Sequence, residues 1–184
     1  MPTPGSGLSR GSALAASFAR NWYLIDASWH HPVHLAQKCS TILQGRHKPL
    51  FAWKQDCGDH VVVMNCSQLA MSEFEWEFHR FTDQKTTRPG DKVITFAWEF
   101  LRDNPGQIVR RTTRLYLETK RIDFRDAWLT RLHCFKDKNI PDNILRNVNF
   151  MLPRKKVPRK LSEYSQEQID NFPVIWAKSD QYKF

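Results

Sequence analysis

Asp56, Cys57, Asp59 and His60 fall within one five-residue stretch and are the side chains best suited to covalent chemistry, because a thiol beside an imidazole and carboxylates has the composition of an activated nucleophile. Such a set would make the chain a hydrolase or transferase using Cys57, Asp59 and His60. Adjacent positions do not make side chains converge, and Asp56-Cys57-Gly58-Asp59 before an apolar run is also the composition of a turn entering a strand. His30, His31 and His34 could hold a metal, yet with Pro32 among them they equally suit a solvated helix start. The cysteines, Cys39, Cys57, Cys66 and Cys134, form no Cys-x-x-Cys pair, which gives no support to a zinc ribbon or a thioredoxin-like centre. The glycine-rich phosphate cradles and the Gly-x-Ser-x-Gly elbow are missing as well. Neither a metal nor a cofactor is expected.

Charge points elsewhere. Lys and Arg number 28 against 19 Asp and Glu, a formal charge of +9 over 184 residues, and that excess attracts polyanions. The cations fall into separate groups: Arg46 to Lys48, Lys85 to Lys92, Arg110 to Arg114, Lys120 to Arg125 and Arg154 to Lys160. Any one group reads as a solvated face. Together, spread over loops and a tail, they suit the irregular phosphate path of RNA. No apolar run approaches the roughly 20 residues that a membrane span needs. Before the first acidic residue, Asp26, the chain carries Arg10 and Arg20 among Ser, Ala and Gly, the composition of a mitochondrial presequence, although Pro2 and Pro4 spoil an amphipathic helix.

The elements that would position these groups follow from pattern. Trp22 to Ala27 reads as a strand, and a helix begins at Pro32 with Leu35, Cys39 and Ile42 on one face and Gly45 as its stop. His60 to Asn65 is dense in β-branched residues and predicts a strand covered on both faces, so that strand, helix and strand make a right-handed parallel βαβ unit. Trp76 to Phe81 predicts a third strand, with Thr82 to Gly90 a polar loop. Phe96 to Leu101 and Gln107 to Leu117 predict helices split by Asp103-Asn104-Pro105-Gly106; in the second, Ile108, Thr112 and Leu115 share a face and Arg110 and Arg114 point away. Leu132 to Phe135 predicts a short final strand, Pro141 starts a helix to about Leu152, and Pro153 to Lys160 should lie extended on a surface. A last helix, Ser165 to Asn171, has Gln168 in place for a capping box.

Seven ordered segments carry a family resemblance. Phe18 to Ala27, with its Arg-x-Trp-Tyr-x-x-Asp-Ala core, Leu43-Gln44-Gly45-Arg46-His47-Lys48-Pro49, and Asp56-Cys57-Gly58-Asp59 running on to Asn65 resemble the opening motifs of the ribosomal protein L-thirteen family. Arg131 to Phe135, Ile140 to Leu145, Pro153 to Tyr164 and Gln166 to Pro173 are similar to its mitochondrial branch. Two loops depart from the pattern: Gln84-Lys85-Thr86 with Arg88-Pro89-Gly90 stands where the family has His-Thr-Gly and Pro-Gly-Gly, and Leu117 to Arg121 stands where it has Gly-Met-Leu-Pro-Lys. Added cations there could replace close backbone approach with side-chain phosphate contacts.

The resemblance implies an α/β domain, three-layer α/β/α with a small mainly parallel sheet, over residues 18–152, after an N-terminal extension at 1–17 and before an extended basic tail at 153–184. It also implies a structural, non-enzymatic constituent of the mitochondrial large ribosomal subunit, in the matrix, organising 23S-like rRNA beside neighbouring ribosomal proteins. The residues expected at rRNA are Arg46, His47, Lys48, Lys85, Arg88, Arg110, Arg114, Lys120, Arg121 and Arg125, with Arg154, Lys155 and Lys156 touching RNA or a neighbour. A free RNA-binding regulator outside the ribosome is the other reading.

Overall fold

The computed structural model describes residues 19–49, 51–52, 55–84, 86–87, 90–118 and 122–173. In chain order the elements are β1 (Trp22–Asp26), α1 (Pro32–Leu43), β2 (His60–Met64), a 3-10 turn (Cys66–Gln68), α2 (Glu73–Phe78), β3 (Arg80–Gln84), β4 (Lys92–Phe96), α3 (Ala97–Asp103), α4 (Gly106–Glu118), α5 (Ile122–Thr130), β5 (Leu132–Cys134), α6 (Asp142–Leu145), β6 (Phe150–Met151) and, after a second 3-10 turn (Leu161–Glu163), α7 (Gln166–Asp170). The class is mixed α/β. Four strands in the order β5-β2-β1-β6 form a wholly parallel sheet, and β3 and β4 pair separately as an antiparallel hairpin.

The βαβ unit forms as its sequence predicts, with Trp22 opposite His60 and Asp26 opposite Met64. Pro32 supplies a preset φ at the start of α1, and His31 caps it by accepting the Val33 N–H at its Nδ1, 3.3 Å away. Leu35, Ala36, Cys39, Ile42 and Leu43 recur at helical spacing and are buried. At the other end Gly45 takes φ +74°, and the N–H groups of Gly45 and Arg46 return to the carbonyls of Ile42 and Thr41, which closes the helix. A side chain at Gly45 would also meet the Cys57 carbonyl at 2.6 Å, and one at Gly58 the Leu43 carbonyl at 1.8 Å. The end of α1 and the turn before β2 therefore lie backbone on backbone.

One apolar core joins Ile25, Val61 and Val63 of the sheet to Leu35 of α1, Ile108 of α4 and Leu129 of α5, with α1 packed along α4. Each such side chain, fully buried, contributes roughly 1.5 to 3 kcal/mol. Cys39 is wholly buried and its thiol is pushed up to about 12 by that burial, so it stays protonated and acts as a small apolar residue.

Several expectations are corrected. Trp76 lies in a helix, because Ser72 and Glu75 form a reciprocal capping box that starts α2; the strand begins only at Arg80 and runs through the expected loop to Gln84. Val93 and Ile94 form its hairpin partner. Leu115 is 58% exposed, and Val109, Thr113 and Leu117 take the inward positions of α4 with Ile108 and Thr112. The helix after Pro141 is only the four residues of α6, and the chain then extends so that Phe150 and Met151 pair with Tyr23 and Leu24; β5 is thus not the last strand. Ser165 stands at the N-cap position of α7, but its side chain makes no capping bond and the box is not formed.

Three aspartates hold the loops at the ends of the sheet. Asp59, wholly buried, accepts from the Asn21 N–H at 2.9 Å and from Lys48 Nζ at 2.6 Å, while Lys48 also donates to the Ala19 carbonyl. His47 Nε2 sits 3.0 Å from its second oxygen, off the line a hydrogen bond requires. Asp56 accepts from Trp128 Nε1 at 2.9 Å and pairs with Arg131, whose guanidinium also donates to the Gly58 carbonyl at 2.9 Å. Asp26 accepts from the Ser28 hydroxyl at 2.6 Å, from the Ser28 N–H and Asn65 Nδ2 at 3.0 Å each, and lies 2.9 Å from Arg154 Nε.

Burial alone would raise the pKa of Asp26 and Asp56. Hydrogen bonds from Ser28 and Asn65, and from Arg131 and Trp128, outweigh it and hold both carboxyls below the ordinary 3.8.

Lys48→Met leaves the Asp59 carboxylate buried without its cation and should cost about 3 to 5 kcal/mol in urea unfolding; a loss under about 1 kcal/mol would show that the pair holds nothing. The lowered folded-state values of Asp26 and Asp56 set the acid response. Their stabilisation is complete above the unfolded value near 3.8 and is lost as pH falls below it through the folded values. Urea midpoints followed from roughly pH 5 to pH 2 should therefore drop steeply, and Asp56→Asn should flatten the curve; an unchanged slope in that variant would contradict the assignment.

Candidate nucleic-acid interface

The four residues that could have formed a nucleophilic centre point to different partners. Cys57 is 2% exposed, Asp56 is taken up by Arg131 and Trp128, and Asp59 by Lys48 and Asn21. His60 stacks on Trp22 with ring centroids 4.0 Å apart and planes within 4°, and His133 lies 6.0 Å from it in nearly the same orientation. Burial lowers the pKa of both imidazoles; His133, Arg131 and Arg20 lower that of His60 further against the opposing pull of Asp59, and Arg110 lowers that of His133. These rings are neutral packing elements of the sheet face. The metal alternative fares similarly, for His30 lies buried between the Ser28 carbonyl and Lys38, and His31 is occupied by its helix cap and by Glu75 at 3.2 Å.

The expected RNA contacts divide by position. In the loop after α1 Arg46 is exposed and His47 lies at the surface beside Tyr23, but Lys48 turns inward to Asp59. One basic tripeptide thus splits between surface and interior. Arg110 and Arg114 are exposed on α4 as expected. Between them stands Arg111, which sequence reading passed over: it pairs with Asp83 of β3, and its guanidinium lies 4.5 Å over the Phe100 ring. The repeated Arg-Arg-x-x-Arg on one helix was the available signal, since positions three and four apart share a face.

These three arginines, with Gln107, Asp126 and Thr130, line a cleft of about 370 Å³ between α4, α5 and the hairpin. A phosphate group fits such a space, and guanidinium forks bind it bidentately. Arg125 of α5 is largely covered, its Nε 3.7 Å from Asp126. Lys85, Arg88, Lys120 and Arg121 lie outside the described residues.

Pro153 to Lys160, with two prolines and five cations, is exposed and outside any helix or strand. Two of its cations tether it to the carboxyl end of the sheet: Arg154 at Asp26, and Lys155, which donates to the Trp29 carbonyl at 3.0 Å. Lys156 is exposed. Among the described residues no helix is long and apolar enough to cross a membrane, and no group of three or more His, Cys, Asp or Glu could hold a metal ion.

The model of the family described as Ribosomal protein L13 matches residues 20–141. The large ribosomal subunit protein uL13m of Drosophila melanogaster is 33% identical over 91% of this chain and 93% of its own length. The large ribosomal subunit protein uL13 of a Geobacillus species is 28% identical over 66% of this chain and 82% of its own, and that of Macrococcus caseolyticus 27% over 76% and 94%. The fold, the ordered motifs now seen to tie the ends of the sheet together, and a likeness running through nearly the whole chain identify it as a member of the ribosomal protein L13 family.

Proposed function

We propose that this chain, a structural ribosomal protein and not an enzyme, organises 23S-like rRNA in the large subunit of the mitochondrial ribosome, in the matrix, beside neighbouring large-subunit proteins. The observation that carries the reading is the cleft of Arg110, Arg111 and Arg114, where three arginines of one helix line a space with room for a phosphate, Asp83 and Asp126 being its only acidic walls among the described residues. Arg46 and the tail cations Arg154, Lys155 and Lys156 extend the same surface. Lys85, Arg88, Lys120, Arg121 and Arg125 stay in the set on charge and loop position. His47 belongs at its edge. Lys48 leaves it, because its ammonium is committed to Asp59.

The mechanism is architectural. Cations neutralise phosphates and release their counterions, the rigid parallel sheet fixes the spacing of the contacts, and the tail crosses the surface without needing a core of its own. The mitochondrial assignment rests on the likeness to the fly uL13m protein, which runs into the C-terminal region.

Replacing Arg110 and Arg114 together with Gln should lower the salt dependence of RNA binding by a slope of roughly 0.7 to 0.9 per lost phosphate contact. It should also reduce the fraction of the chain that sediments with large-subunit particles. Wild-type protein found only in a light soluble peak would oppose the ribosomal reading, and an unchanged slope would oppose this cleft.

A further inference from the structure

Trp29 is the one described tryptophan with its backbone in the left-handed region, at φ +61°, and its residue is 56% exposed. A bulky residue with positive φ is a genuine outlier, held only where its surroundings over-determine it. Two hydrogen bonds hold its backbone: the Trp29 N–H donates to the Gln68 carbonyl at 2.9 Å, and the Lys155 side chain donates from Nζ to the Trp29 carbonyl. Glycine would keep both bonds and remove the strain. The fold therefore does not need an indole here, yet the chain carries one at a cost in stability and leaves it facing solvent.

Its surroundings are cationic. Lys155 is bonded to its carbonyl, and Arg154, the preceding residue of the tail, is at Asp26. Lys38 lies 3.4 Å from Nε2 of His30, the next residue along the chain. The Asp26 carboxylate is consumed by Arg154, Ser28 and Asn65. His30, the residue after Trp29, lines a hollow of about 300 Å³ together with Ile25, Lys38, Thr41, Leu152 and Pro153 among others. It lies at the carboxyl ends of β1 and β6, where the strand order reverses direction, the place at which open parallel sheets leave a crevice.

We propose that Trp29 is a stacking platform for an unpaired nucleotide of RNA, with the base on the indole face and the adjoining phosphates against Lys155 and Lys38. An aromatic ring among cations on extended chain is the arrangement that holds single-stranded nucleic acid, since every base has a face to stack and every linkage a charge. The proposal rests on the RNA-binding reading above and adds to it a contact selective for unpaired bases.

The test uses the full chain and two probes, single-stranded oligouridine and an RNA duplex of equal phosphate number, with Trp29→Gly and Trp29→Ala. Trp29→Gly should raise the urea midpoint by relieving the backbone, and both variants should weaken oligouridine binding roughly tenfold while duplex binding stays the same. Equal loss on both probes, no loss on oligouridine, or a lowered midpoint for the glycine variant would overturn the proposal. The second of these is also the outcome expected if Trp29 meets a protein neighbour instead. Should the wild-type chain bind neither probe, the RNA reading itself fails, and the cleft on α4 fails with it.

Discussion

A single buried carboxylate organises the amino end of the sheet. Asp59 has no access to solvent, and it receives the backbone of the residue before β1 and the ammonium of the loop after α1. A charge removed from water to that extent is tolerable only with such partners, so the three segments that supply and surround it must come together for the chain to fold. The close approach at Gly45 and Gly58 serves the same junction, because a side chain at either would push the loop carrying Lys48 away from the turn carrying Asp59. Motifs that look like catalytic or RNA-binding signatures along the chain are, at this junction, the means by which α1 is held between β1 and β2.

The opposite end of the sheet uses related chemistry for a different purpose. Asp26 is satisfied partly from within, by Ser28 and Asn65, and partly by Arg154 from the tail. Asn65 reaches it from a left-handed backbone that also ends β2, a conformation Asn accepts more readily than most residues. The tail leaves the sheet through β6, whose two residues pair with β1, and it is then pinned twice more by side chains before running on across the surface. A segment with two prolines and almost nothing to bury thereby receives a fixed origin.

The outer surface of the molecule follows from what the interior consumes. Arg131, Lys48 and the covered part of Arg125 are drawn into the protein, whereas Arg46, Arg110, Arg114 and the tail cations stay outside. Arg111 is intermediate: its pairing with Asp83 and its position over Phe100 fix the direction of the guanidinium while leaving it in the wall of the cleft. Preorganised cations lose less side-chain freedom on meeting phosphate than mobile ones do, which is why a cleft of this kind is a better anchor than the same charges on a free loop.

Much of the fold is written in short stretches of the chain. Pro32, the apolar spacing through Leu43 and Gly45 specify α1 locally, and the Val61-Val62-Val63 run specifies a covered strand, because caps and periodicity act over a few residues. The capping box at Ser72 and Glu75 was equally local, but the aromatic residues that follow it have strong strand preference and masked it. Net charge and the spread of basic groups indicated a polyanion partner, and the order of motifs indicated the family. The sequence by itself thus determined the class of partner and the principal βαβ unit. Only the tertiary structure decided that Lys48 is inside while Arg46 is outside, that Arg111 joins the cleft, that β6 closes the sheet edge, and that Trp29 stands strained and exposed among cations. Charge and periodicity are properties of neighbours in sequence, whereas burial, pairing and strain are set by groups tens of residues apart that meet only in the folded chain.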